Sequence, residues 1–218
     1  MKAKISYQPL DLSAPYAYAA VMDIELKDEG VLIQLEVEYV GRDSMSIQAL
    51  KDLGFTENDD YSWKGIIDEN WKEDILSFFE MKLALDSDNE IYLHISRDTI
   101  SGFPVEINRA DALFHELLQA ILEKDNLEAP LEISLQKNGT KYLLKWVFSE
   151  RTFSAQNDDS NPESLEWETG RELMKTIYSI DFETQNPLKK AKGDCFSSDG
   201  DLWYPLSKSV VKKLNQLL

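Results

Sequence analysis

Between positions 22 and 39 apolar and polar residues alternate with a period of two. Met22, Ile24 and Leu26 are separated by Asp23 and Glu25, and Val31, Ile33, Leu35, Val37 and Tyr39 mostly by Gln34, Glu36 and Glu38. Successive side chains of a strand point to opposite faces, so the pattern predicts two half-buried strands. A two-residue turn at Glu29-Gly30 sets Leu26 opposite Ile33, Ile24 opposite Leu35 and Met22 opposite Val37, with the apolar groups on one face. A second hairpin follows from Asn138-Gly139, which supplies the positive φ angles of a type I′ turn between 131–137 and 140–148. It pairs Leu135 with Tyr142, Ile133 with Leu144 and Leu131 with Trp146. Leu143 and Val147 make its other face less polar than usual.

The two hairpins superpose in sequence at an offset of 109 residues, which brings Ile24 onto Ile133, Gly30 onto Gly139 and Arg42 onto Arg151. Downstream, Gly54 to Trp63 and the helical stretch from Trp71 resemble Gly193 to Trp203 and the C-terminal helix. A degenerate tandem duplication accounts for both correspondences, and so does the chance alignment of two amphipathic hairpins. Under duplication Gly30 and Gly139 are both turn residues.

A period near 3.6 marks the helices. Asn108 caps one, with Asp111 at its third position and Ala110, Leu113, Phe114, Leu117, Leu118 and Ile121 as its buried stripe. Trp71, Ile75, Phe78, Phe79 and Leu83 mark another. Ser160 and Glu163 form a capping box ahead of Leu173, Met174, Ile177 and Tyr178. Val210, Val211, Leu214 and Leu218 mark the last, and 44–53 is a shorter helix ending near Gly54. Residues 90–96 alternate again, as a central strand with Tyr92 and His94 on its polar side. Polar stretches at 154–160 and 187–201 read as surface loops, the first a mobile insertion. The class expected is α+β: a mainly antiparallel sheet from two hairpins and a further central strand, packed with four or five helices. Its halves, 1–109 and 110–218, form either two subdomains or one continuous domain.

Charge narrows the partners. Asp and Glu number 40 against 23 Lys and Arg, a formal charge of −17 that repels a phosphate backbone and argues against nucleic acid. The excess is uneven, net −12 over 1–109 (22 acidic, 10 basic) and −5 over 110–218 (18 acidic, 13 basic). Such a surface serves solubility, or docks a basic protein. The acidic candidates for docking are Glu36, Glu38, Asp59 and Asp60. A single cysteine, Cys195, allows no intramolecular disulfide, and no apolar run is long enough to cross a bilayer. With no signal-peptide core after Lys2 and Lys4, the expected compartment is the cytoplasm and no membrane partner is expected.

Catalytic motifs do not emerge. None of the nine glycines lies in a phosphate-binding or dinucleotide fingerprint, and there is no Gly-x-Ser-x-Gly elbow. His94 and His115 are the only imidazoles. Asp111 lies one helical turn before His115 and could orient its ring as an acid-base pair, although the same spacing describes an ordinary polar helix flank. Cys195 lacks an activating neighbour and reads as an incidental loop residue. Asp86, Asp88 and Glu90 have calcium-loop spacing, but Ile91 and Arg97 stand where glycine and the final glutamate belong. Asp199 and Asp201 read as turn chemistry. No metal or cofactor is assigned. Of the five tryptophans, Trp71 and Trp146 fall on core faces, while Trp63 and Trp203 are free to line a groove. These patterns leave a non-enzymatic protein-binding or regulatory module, partnered by a basic protein or by a second copy, as the leading expectation. The alternative is a small-molecule enzyme using Asp111 and His115, with Tyr92 or His94 nearby.

Overall fold

A computed structural model describes residues 1–86, 91–158, 160–180 and 186–217. The chain divides into two compact units, Met1–Asp125 and Asn126–Leu218. The first contains β1 (Lys2–Pro9), β2 (Tyr18–Lys27), β3 (Gly30–Tyr39), α1 (Ile47–Asp52), β4 (Tyr61–Ile67), α2 (Lys72–Phe79), β5 (Leu83–Ala84), β6 (Ile91–Arg97), β7 (Ile100–Pro104) and α3 (Ile107–Lys124). The second contains β8 (Leu131–Lys137), β9 (Thr140–Val147), β10 (Thr152–Asn157), β11 (Glu163–Leu165), α4 (Trp167–Tyr178), β12 (Cys195–Ser197), β13 (Tyr204–Pro205) and α5 (Lys208–Leu217). The fold is α+β with two antiparallel sheets, ordered β4-β3-β2-β1-β6-β7-β5 and β11-β10-β9-β8-β12-β13. Among the described residues each unit therefore has a sheet of its own.

Alternation along each strand decides which face of the first sheet is covered. Ile5, Met22, Leu35 and Ile95 lie side by side across four strands and are all fully buried. Helix α3 covers this face with Ala110, Leu113, Phe114, Leu117 and Ile121, and the Phe114 ring stacks on Tyr7 at 4.1 Å. The other face carries Lys4, Asp23, Gln34 and Lys64 in one cross-strand row. In the second unit Ile133, Leu135, Leu144 and Trp146 are buried, and α4 lies against Trp146 and Phe153 where Gly170 removes the side chain that would collide with both.

The second hairpin has the register that its turn predicts, with Asn138 at φ 52° and Gly139 at 83°. The first is two residues out of the expected register. Its turn is Asp28-Glu29, and Lys27 pairs with Gly30, Leu26 with Val31, Ile24 with Ile33 and Met22 with Leu35. A slip of two keeps the same side chains inward, so the apolar pattern could not discriminate between the registers. Gly30 is thus not a turn residue; it opens β3.

Several further expectations need correction. Helix α3 starts at Ile107 because the Glu106 carbonyl accepts the first helical bonds, from Arg109 and Ala110, which leaves Asn108 inside the first turn rather than at the cap. Helix α3 falls within the first unit, so the division follows Asp125 rather than position 109. The stretch at 154–160 is largely strand β10, because Phe153 and Ala155 find partners in Trp146 and Leu144 of β9. Glu163 lies in β11, so no capping box forms with Ser160, and α4 begins at Trp167. Leu83 lies in β5, beyond the end of α2. Residues 195–197 are not a loop but the buried strand β12, paired with β8. Asp88, Glu90 and Leu218 lie outside the described residues.

Duplication is not established. Each hairpin receives a third antiparallel strand on its second strand, β4 on β3 and β10 on β9. On the other side, however, β2 adjoins β1, which precedes it, whereas β8 adjoins β12, which follows α4. The shared features are those of any hairpin extended by one strand.

Candidate functional site

The sequence pair Asp111 and His115 lies on the flank of α3 beside Tyr7 of β1. The Tyr7 hydroxyl donates to Asp111 Oδ1 at 2.9 Å and lies 3.4 Å from His115 Nε2. His115 Nδ1 lies 3.0 Å from the Asp111 carbonyl and 3.4 Å from Oδ1. With the phenolic proton committed to Asp111, Nε2 meets a lone pair of Tyr7, and both neighbours of Nδ1 are acceptors. All these contacts are satisfied together when both ring nitrogens carry protons. Hydrogen bonding from Asp111, opposed by burial and aided by its charge, accordingly raises the His115 pKa. Burial works against ionisation of Asp111, but the hydrogen bond and charge of His115 and the Tyr7 hydroxyl outweigh it and lower its pKa. Tyr7 is pushed far above the usual phenol value by burial first and the Asp111 hydrogen bond second. The result is a hydrogen-bonded cluster of Tyr7, Asp111 and His115 that favours the charged forms of the last two and is about half exposed on the histidine side.

His94 does not join it. Tyr7 and Leu93 are partners on the α3-covered face, so the next residue of β6, His94, points to the opposite face beside Ser6. There it lies against Tyr92 and edge-on to Phe103 at 5.3 Å. A shallow depression of about 310 Å³ in the second unit includes Asn186, Pro205, Leu206 and Ser207 in its lining and, among the described residues, none of the sequence candidates.

The acidic candidates separate into two kinds. Glu36 and Glu38 project from β3 into solvent. Asp59 and Asp60 are structural: Asp59 accepts from the Thr56 amide at 2.9 Å, from the Thr56 hydroxyl, and from Arg42 Nη1 at 2.5 Å, while Asp60 accepts from the Tyr39 amide at 2.9 Å. The Thr56 hydroxyl and amide, followed by Arg42, hold the Asp59 carboxyl below the usual range. Trp63 lies opposite Leu35 on the covered face with its ring over Gly65. Trp203 forms an isolated bridge with Leu188. Cys195 is buried, and burial raises its thiol pKa, which disfavours the nucleophilic thiolate. Asp199 accepts from Ser197, Asp201 and Leu202 within one turn.

Arg42 is the residue that sequence reasoning missed. It is 2% exposed, with its guanidinium 3.8 Å from the centre of the Tyr39 ring and 4.8 Å from that of Phe55. Nε donates to the Pro15 carbonyl at 2.9 Å and Nη1 to the Thr56 carbonyl at 3.0 Å. One cation therefore holds together the β1–β2 connection, the end of β3 and the segment after α1. Its only sequence signal was the hairpin alignment with Arg151, which suggested a repeat and not a clamp.

Comparison with known proteins adds no lineage to this geometry, since no family model, curated protein or solved structure matches the chain. Among the described residues no helix is long and apolar enough to cross a membrane.

Proposed function

We propose that the chain is a non-enzymatic protein-binding or regulatory module of the cytoplasm whose first unit docks a basic partner protein. The distribution of charge carries this reading. Residues 1–125 hold 26 acidic and 11 basic side chains, net −15, whereas 126–218 hold 14 and 12, net −2. Nearly all of the chain's excess charge thus belongs to one compact unit, where its field accelerates encounter with a cationic surface and excludes nucleic acid.

The test is binding of the full chain to a Lys/Ser peptide as salt rises from about 50 to about 500 mM, a range over which exposed charges are screened. Affinity falls steeply with salt. Glu36→Gln with Glu38→Gln weakens it more than the same neutralisation at Glu163 and Glu168 of the second unit. Binding indifferent to salt and to which unit is neutralised refutes the proposal.

A second reading, a small-molecule enzyme with Asp111 and His115 as acid-base pair, draws on the raised pKa and partial exposure of His115. It is the weaker one because both ring nitrogens already face acceptors inside the protein.

A further inference from the structure

Among the described residues, six of the seventeen exposed large apolar side chains fall in two short segments of the first unit: Leu10, Leu12, Tyr16, Val40, Ile47 and Leu53. The two segments are joined. The Val40 amide donates to the Ala17 carbonyl, Arg42 donates to Pro15, and the Tyr16 ring meets Phe55 edge-on at 5.3 Å. Phe55 in turn donates its amide to the Leu50 carbonyl of α1. On α1, Ile47, Leu50 and Leu53 recur every third residue along one side; Leu50 is buried, while Ile47 and Leu53 are 54% and 50% exposed. An apolar strip thus runs from Tyr16 through Phe55 to the flanks of α1.

Two properties set this strip apart from scattered surface apolar groups. The backbone beneath it is clamped by a buried arginine that bonds to Pro15, Thr56 and Asp59 and lies between two rings. A surface held in this way is already ordered before a partner arrives, so docking spends little on ordering loops. The exposed charges of the same segments are also mostly acidic: Asp11, Asp43, Asp52 and Glu57 against Lys51. An apolar strip within an acidic rim complements a segment that is apolar on one side and cationic on the other.

We infer that the surface formed by α1 and the β1–β2 connection is the docking site for a basic amphipathic helix of a partner protein. This rests on the proposed function and adds to it the place and the apolar component of recognition. A second copy of the chain fits poorly, because two such rims bring like charges together.

The test uses the full chain and two probes of identical composition, about 14 residues of Leu and Lys, one with Leu in a helical stripe and one scrambled. The striped peptide binds at least about tenfold tighter than the scrambled one, a difference of about 1.4 kcal/mol. Ile47→Ser with Leu53→Ser removes that difference, while Asp43→Asn, Asp52→Asn and Glu57→Gln together weaken both peptides. Both serine substitutions fall at half-exposed positions, and backbone amide shifts of the unaltered protein, concentrated in 10–17 and 40–57, supply a readout that needs no variant. Equal affinity for the two peptides, or shifts elsewhere, overturns the strip and leaves the charge-based reading standing. Failure of both peptides to bind overturns both. Self-association of the unaltered chain that Leu53→Ser abolishes assigns the surface to a second copy and overturns the inference.

Discussion

Gly30 and Gly139 align in sequence yet occupy different physical situations, and replacing each by alanine should separate them. At Gly139 the backbone has φ +83° and nothing lies within 4 Å of an added Cβ. Alanine there bears only the cost of a left-handed conformation, about 1 kcal/mol. At Gly30 φ is +146°, and the added carbon would lie 2.3 Å from the Ile67 carbonyl oxygen and 2.9 Å from Ile66 Cγ2. The obstructing oxygen is backbone at the end of β4, fixed by the pairing of Val31 with Ile67, so no side-chain rotation relieves the contact. Backbone strain of about 1–3 kcal/mol then adds to a forced strand shift of similar size, about 2–6 kcal/mol in all. Urea denaturation of both variants measures the gap, with Trp63 and Trp71 reporting on the first unit and Trp146, Trp167 and Trp203 on the second. The Gly30→Ala loss should appear in the first unit's transition and exceed the Gly139→Ala loss severalfold. Equal losses would refute the close approach of β4 and return Gly30 to an ordinary turn.

Arg42→Met should destabilise the first unit by about 1.5–3 kcal/mol through its lost charged hydrogen bonds, as read by denaturation, whereas Asp59→Ala should cost more because it strands a buried cation. Gly170→Ala, although favourable for helix propensity, should cost about 1–3 kcal/mol, since its Cβ would lie 2.7 Å from Phe153 and Trp146; a neutral or stabilising effect contradicts that packing. Ile133→Ala should cost about 2–5 kcal/mol and Glu132→Ala less than about 0.5 kcal/mol, the first side chain being buried and the second in an exposed pair with Lys145. The raised pKa of His115 gives stability that is fully present below its unfolded value near 6.5 and is lost as pH rises through its folded value. The lowered pKa of Asp111 gives stability present above its unfolded value near 3.9 and lost as pH falls through its folded value. His115→Gln should therefore narrow its stability deficit as pH rises from about 6 to 9, by less than about 1 kcal/mol given the exposure of the ring. A deficit that widens over that range contradicts the pair, and NMR titration of the imidazole checks the direction of the shift.

The period-two and period-3.6 patterns alone determined the α+β class, the inward faces of both hairpins and the stripe of α3, because burial acts on each side chain through its own local periodicity. Asn138-Gly139 also set a register, since a type I′ turn needs positive φ at two residues that accept it. Where the local signal was indifferent, tertiary structure decided. A two-residue slip in the first hairpin preserves every inward face, and the observed register puts Gly30 beside Ile67 of β4, where a side chain would collide with backbone. The polar residues around Phe153 and the short Cys195–Ser197 stretch become strands only because β9 and β8 offer unpaired edges to them. The pairing of Asp111 with His115 was legible from helical spacing, but the third member, Tyr7, lies 104 residues from Asp111 and arrives only when α3 crosses β1. Arg42 was illegible for the same reason: its partners belong to three chain segments, and sequence order carries no record of which side chains a fold will bring to one cation.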